Sequence, residues 1–462
     1  MVRYALLGSL LLAAACQTTG AAAQKPGDSE AQALEILKRS VAFRTVDGAG
    51  QVPAYAAYIK SVLVEAGFAP GDIEIVPVAK TAYLTARFRG ADAAKKPLVI
   101  SGHMDVVEAK REDWERDPFT PVVENGFVFG RGSLDNKGDV SIVIATLAKL
   151  KREGWTPGRD VILALSGDEE TQMESTRVLA ARLKGAELVL NADAGGGALT
   201  DEGKALVYGV QTAEKTYADY TLTITDPGGH SSVPTTGNPI YRLSAALSRL
   251  SDYAFPVMRS ELTDAFFRTT APMTPGPVGD AMKRLVADPQ DAGAIATLSA
   301  DPRYSAQLRT TCVATMIDGG HAANALPQRA MATVNCRIFP GVPLEVTQMQ
   351  MAKALNDPSI VVAYVDTGTV VSAASPLRAD VLAAVTKAVH ARHPDAVIIP
   401  NMSTGATDSM HFRAQGVPSY GVAAGFMNPK DEFAHGLNER FPLALIPVGL
   451  AHWESLLRDL AG

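Results

Sequence analysis

Three apolar runs in the first half of the chain each stop abruptly at acids or a histidine. They are Leu98 to Ile100 before Ser101-Gly102-His103-Met104-Asp105, Asp160 to Leu165 before Ser166-Gly167-Asp168-Glu169-Glu170, and Leu188 to Leu190 before Asn191-Ala192-Asp193. Short apolar runs of this kind read as buried strands, and helical patterns stand among them, at Ser29 to Ser40, Val52 to Ala66 and Asp139 to Lys151. Alternation of helices and strands predicts an α/β domain with helices on both faces of a sheet. Open sheets of that class carry their sites at the carboxyl ends of the strands, where these acids and this histidine lie. Residues two apart on a strand share a face, so His103 and Asp105 can stand together. Three consecutive acids at Asp168, Glu169 and Glu170 repel one another unless cations neutralise them.

With 462 residues, 47% of them hydrophobic, the chain can bury a large core and is long enough for two domains or one with a large insertion. The net charge of −6 comes without a basic block, which argues against nucleic acid as a partner and against docking on acidic lipid.

Residues 1–23 read as an export signal. Arg3 precedes an apolar run from Tyr4 to Ala15 that is too short to span a bilayer. Two endings compete. Ala13-Ala14-Ala15-Cys16 looks like a bacterial lipobox, with residues 1–15 removed and Cys16 lipidated, whereas Ala21-Ala22-Ala23 would serve an ordinary signal peptidase. The lipobox is preferred, because a cysteine directly after such a core has few other purposes. Either ending predicts a mature protein that is exported and periplasmic, touching membrane only through an anchor at Cys16.

From about Ala213 the pattern changes to an alternating strand at Tyr217 to Thr225, the loop Gly228 to Pro234 with His230, and a helix at Asn238 to Leu250. Two strand-like runs carry Cys312 and Cys336, followed by a helix at Leu344 to Leu355 and a strand at Ile360 to Tyr364. This order predicts a small antiparallel sheet with helices on one face, inserted over 213–371 between two parts of the α/β domain, 24–212 and 372–462. Phe255 to Ser305 carries no readable motif. If the cysteine runs form a hairpin, a disulfide is open to Cys312 and Cys336 in an oxidising compartment; two free buried thiols is the alternative. His390, His393 and His452 read as solvated helix residues.

Taken singly, each polar motif has a plainer reading: Asp135, in Gly130-Arg131-Gly132-Ser133-Leu134-Asp135-Asn136-Lys137-Gly138, as a helix cap, and the acid triple as a solvated turn. Together His103, Asp135, Glu170, Asp193 and His435 supply imidazole and carboxylate donors without thiolate, the set that suits zinc, cobalt or manganese. Two such ions ~3.5 to 4 Å apart need about five side chains if one carboxylate is shared.

The ordered set SGHMDVV, GRGSLDNKG, SGDEE, NAD before glycines, GGHSSVP and DEFAHGLNE resembles the M20 family of metallopeptidases, which includes aminoacylases, carboxypeptidases and dipeptidases. The resemblance runs through nearly the whole chain after about Ala31. It implies two zinc ions, with cobalt or manganese as substitutes, one held by His103 and Asp193 and the other by Glu170 and His435, with Asp135 shared. It implies Glu169 as general base and Asp105 as the residue that orients His103. At Asp193 many members of the family carry glutamate, and Asn191 stands two residues before it. A cis bond after Asp135 is also implied. The insertion resembles the family's lid, through which chains often pair as homodimers. His230 would then reach an active site, commonly that of a second subunit, to stabilise the oxyanion. Asn324 would make polar contacts, Arg337 would grip a substrate carboxylate, and Thr404 and Gly405 would line the pocket through backbone amides. The expected activity is hydrolysis of an amide bond beside a free carboxylate, in a small peptide or an N-acyl amino acid. The reading of a different class is an exported lipoprotein that binds peptides or metals without catalysis.

Overall fold

The structure, a computed structural model, describes residues 26–462, so the expected export signal and Cys16 lie outside the described residues. Helices Pro26–Val41 and Val52–Glu65 lead into a ten-stranded mixed sheet. Its strands run in the order Ile73–Val78, Thr81–Phe88, Val161–Ser166, Leu98–His103, Leu188–Asn191, Ser419–Gly421, Ala205–Glu214, Gly196–Leu199 and Phe426–Met427, with Val397–Ser403 beside Ala205–Glu214. The four strands from Val161–Ser166 to Ser419–Gly421 are parallel neighbours, so their carboxyl ends share one edge.

Alternation along each strand divides the core. Leu98, Ile100, Leu163, Leu165, Leu188 and Leu190 face a large cluster with the helices Lys137–Arg152, Ala379–His390 and Leu445–Ala461. Val99, Ile162, Ala164 and Val189 face the other side, against Leu179 and Phe412 from Glu174–Arg182 and Ser409–Ala414. Burial on both faces explains why these strands read as unbroken apolar runs. His452 departs from expectation. It is fully buried, its Nε2 3.0 Å from the Val422 carbonyl, and burial pushes its imidazole down to about 3.

The insertion forms a four-stranded antiparallel sheet in the order Thr311–Gly319, Arg329–Ile338, Thr216–Thr225, Val361–Val365. Helices Pro239–Ser251 and Leu344–Leu355 pack on one face through Leu243, Leu250, Met351 and Leu355, over Tyr220, Leu222 and Val334. Cys312 and Cys336 stand directly opposite one another and are joined as a disulfide. The stretch without a readable motif is also folded. Helices Glu261–Thr270, Pro277–Ala287, Ala292–Ser299 and Pro302–Leu308 enclose a small core of Phe267, Met282, Leu285 and Leu298. The first of them starts at a capping box made by Ser260 and Thr263, and it packs against Val397–Ser403 of the main sheet. Among the described residues no helix is long and apolar enough to cross a membrane.

Candidate active site

Three parallel strands deliver the first groups. His103 ends its strand; Glu169 and Glu170 follow the neighbouring strand at Ser166, and Asp193 follows the strand ending at Asn191. The acid triple divides its work. Asp168 accepts the Glu174 and Ser175 N–H groups and the Ser175 hydroxyl, capping the next helix. Glu169 and Glu170 face a cavity of about 550 Å³, lined also by Asp135, Asp193 and His435.

Asp135 stands between the two imidazoles. Its Oδ1 lies 2.9 Å from His103 Nε2 and its Oδ2 lies 3.3 Å from His435 Nε2. Asp193 Oδ1 is 3.5 Å from His103 Nε2, and Glu170 Oε1 is 2.9 Å from His435 Nε2. The sets His103, Asp135, Asp193 and Asp135, Glu170, His435 each bring one donor atom apiece within 4.8 Å of one another. The turn gives Asn191 and Asp193 different surroundings: the Asn191 amide donates to Thr407 and Ser409 and its oxygen accepts the Asp193 N–H, while Asp193 faces His103.

The His103 ring is held by Nδ1, 3.0 Å from the Asp105 carbonyl, with the Asp105 carboxylate at 3.6 Å. That carboxylate instead accepts the Glu169 and Glu170 N–H groups at 3.1 and 3.0 Å. Asp105 therefore ties the histidine strand to the acidic loop, beyond orienting the ring.

The loop bearing Asp135 is fixed by Glu439, a residue missed in the sequence although it closes the DEFAHGLNE stretch. Its buried carboxylate accepts the Gly132, Leu134 and Asp135 N–H groups and pairs with Arg131 at 2.6 Å. Arg131 also donates to the His435 carbonyl at 3.1 Å, so one ion pair joins the shared aspartate to the distant histidine. At Gly132, φ is +81° and a Cβ would lie 2.4 Å from Val106, so glycine alone fits this turn. The Asp135–Asn136 bond is cis. Glu439→Ala leaves Arg131 buried without its partner, which costs roughly 3 to 5 kcal/mol. The expected result is a lowered thermal midpoint together with weakened metal binding, read by scanning calorimetry and metal titration. A variant as stable and as metal-avid as the wild type removes this role.

Crowding shifts the titrations. Burial drives Asp193 up to about 6, with Asp135 and Glu170 adding to it against His103. Burial likewise holds Glu169 well above the ordinary carboxyl range, reinforced by Asp193, Asp408 and Glu170. Hydrogen bonds donated to Asp135 and Glu170 raise His435 to about 10. For His103 burial favours the neutral ring, but Asp193, Asp105 and Asp135 outweigh it and raise the imidazole. Two imidazoles and three carboxylates crowded together are a donor set that suits positive charge, and oxygen and nitrogen donors suit hard or borderline divalent cations. The residues fit a dinuclear metal centre.

The remaining predicted residues are more dispersed. Arg337 donates to the Thr404 carbonyl at 2.9 Å and lies 4.8 Å from the Tyr217 ring, at the junction of insertion and main sheet. Thr404 lines the cavity. The Gly405 N–H is turned onto Ser403 Oγ at 3.0 Å. His230 and Asn324 lie together on the short ladder of Gly229–His230 with Ala325–Leu326, where the Asn324 carbonyl accepts the Ser231 N–H. Within one chain neither lines the cavity, because the insertion's own ladder holds them outside it. Gln307, which does line it, comes from helix Pro302–Leu308, just past the end of the stretch with no readable motif.

The model of peptidase family M20/M25/M40 matches residues 99–459. The chain belongs to this family. It is 28% identical over 381 residues to the N-fatty-acyl-amino acid synthase/hydrolase PM20D1 of Mus musculus, covering 79% of this chain and 74% of that protein. It is 25% identical over 342 residues to a probable carboxypeptidase S-like 2 of Dictyostelium discoideum, covering 71% and 64%. In fold it resembles the M20 family metallo-carboxypeptidase Sso-CP2 from Sulfolobus solfataricus, with TM-score 0.66 at 19% identity over 93% of this chain and 99% of that one. The di-peptidase Dug1p from Saccharomyces cerevisiae gives TM-score 0.64 at 18% identity over 95% and 98%. As a member of the M20 family the chain is an enzyme, a peptidase or amidohydrolase, which sets aside the reading as a non-catalytic binding lipoprotein.

Proposed function

We propose that this enzyme hydrolyses an amide bond adjacent to a free carboxylate, in a short peptide or an N-acyl amino acid. The observation that carries the reading is the division of the two Asp135 oxygens between His103 and His435, with Glu169 on the same cavity. His103 and Asp193 would hold one divalent cation and Glu170 and His435 the other, with Asp135 shared. Two bound ions, zinc first and cobalt or manganese as substitutes, would acidify the attacking water and polarise the scissile carbonyl. Glu169 takes the proton of that water on its carboxylate and delivers it to the departing nitrogen. Asp105 keeps Glu169 and Glu170 in place through their backbone N–H groups. Carboxypeptidase S-like and N-fatty-acyl-amino acid relatives support the two arms of the substrate class.

Arg337 is the group assigned to the substrate carboxylate, supported by its N–H on the carbonyl of Thr404, a residue that lines the cavity. Arg337→Ala should raise KM roughly thirtyfold, about 2 kcal/mol, for substrates with a free carboxylate. Amidated analogues should be nearly unaffected, and equal losses on both would remove the assignment. The reaction itself is tested by a panel of dipeptides and N-acyl amino acids; two bound metals with no amide cleaved would refute it.

Export to the periplasm is part of the same proposal, supported by residues 1–23 and by the Cys312–Cys336 disulfide. So is pairing of two copies along the edge strand Thr311–Gly319, where Val313, Met316 and Ile317 are exposed. Pairing would let the partner subunit's His230 approach the oxyanion. Sedimentation showing only monomers at assay concentration would leave His230 without that role.

A further inference from the structure

Two side chains of the insertion rest next to one another on the end of the main sheet. Gln307, from helix Pro302–Leu308, donates from Nε2 to the Met402 carbonyl at 3.2 Å, and Arg337 donates to the Thr404 carbonyl at 2.9 Å. Met402 and Thr404 are two residues apart, a span of no more than about 7 Å. Gln307, Met402 and Thr404 all line the catalytic cavity. A carbonyl can only accept, so Met402 fixes which end of the Gln307 amide it meets and turns Oε1 away from itself. Among the described residues nothing donates to that oxygen, and Gln307 is only half-buried. The chain beneath is held firmly. The Leu308 carbonyl accepts the Met258 N–H at 2.7 Å, the Arg309 carbonyl accepts from Lys215 Nζ at 2.7 Å, and Cys312 is bonded to Cys336, the neighbour of Arg337.

A spare acceptor on a substrate cavity calls for a donor. A substrate with its carboxylate on Arg337 and its scissile carbonyl among the metal-binding acids carries one polar group between those anchors, the amide N–H, a single carbon away from the carboxylate. When Glu169 delivers a proton to that nitrogen it gains positive charge and becomes a stronger donor, so a contact made there strengthens as the bond breaks. A neutral amide oxygen accepts the N–H without competing for the proton. Glu432 also lines the cavity, and its carboxylate is the better partner for a free ammonium. The other charged groups there, Asp135, Glu169, Glu170, Asp193 and His435, serve the metals and the proton transfer in the proposed reaction.

We propose that Gln307 is a substrate-binding residue whose Oε1 accepts the N–H of the scissile amide, a contact that the matching ester, with oxygen in place of N–H, cannot make. The inference rests on the proposed hydrolysis beside a free carboxylate.

The test compares the metal-loaded wild type with Gln307→Leu, which keeps the bulk and removes the acceptor. Each is assayed on one amide substrate and on the ester with the same acyl end and the same carboxylate. The variant should lose about tenfold or more in kcat/KM on the amide and less than about twofold on the ester. A loosened insertion would penalise both alike, and so would loss of a contact to a free amine, since the ester keeps that amine. Binding reads the same contact without turnover, using a phosphonamidate mimic of the tetrahedral intermediate and the phosphonate ester that replaces its N–H with oxygen. The wild type should bind the N–H form about tenfold or more tighter, and Gln307→Leu should bring the two within about threefold. Equal losses on amide and ester, or wild-type affinities that do not differ, overturn the inference while the reaction stands. No amide cleaved at all, with metals bound, overturns the reaction and the inference together.

Discussion

Glu169→Gln is expected to lower kcat by roughly a thousandfold, about 4 kcal/mol of transition-state stabilisation, while two metal ions stay bound. Glutamine keeps the volume of the side chain but cannot take a proton from water and hand it on. The position suits that task. Glu169 faces the cavity, yet its residue is only 8% exposed, and burial with Asp193, Asp408 and Glu170 nearby raises its carboxyl well above the ordinary range. Its backbone N–H is anchored on Asp105 independently of the side chain, so the loop should hold in the variant. Single-turnover kinetics and metal analysis of the same preparation check both halves. Turnover within fivefold of wild type would refute the assigned base, and loss of metal would make Glu169 a ligand instead.

Removing the metals should have an effect of similar size by a different route. Chelation is expected to abolish hydrolysis and lower the thermal midpoint by several degrees, with both restored by zinc, cobalt or manganese. Asp135, Glu169, Glu170 and Asp193 would be left crowded around two imidazoles, and ligands that bind only the folded state add stability by mass action, ~4 kcal/mol at a thousandfold excess over Kd. The individual assignments are separable. Asp193→Ala should reduce bound metal from two towards one per chain, because Asp193 shares a donor set with His103 and not with His435. Metal content and activity near wild type in that variant would mean that Asp193 is no ligand.

Much of this architecture was legible in the sequence for a simple reason. Strands buried on both faces must be apolar throughout, so the positions where Ile100, Leu165 and Leu190 give way to polar groups mark where the chain leaves the core. His103, Glu169, Glu170 and Asp193 lie at or just beyond those points. The insertion was legible through strict alternation in Thr216–Thr225, whose inward residues pack under two helices. Other features had no local signal. His452 reads as solvated because one helix turn does not say what packs on it, and Val422 and Tyr208 arrive from distant segments. Gln307 belongs to a helix whose pattern reports only its own small core.

By itself, the sequence determined the class of fold, the order of its two parts and the chemical kinds of donor at the strand ends. Those depend on periodicity and residue type, which are local. Only the tertiary structure decided that Asp135 turns one oxygen to each histidine, that Glu439 and Arg131 fasten this loop to His435 across 304 residues, and that the insertion's Gln307 and Arg337 dock next to one another on the end of the main sheet. Each depends on side chains remote in the chain meeting at a few ångströms, and long-range packing, which no short stretch encodes, sets that meeting.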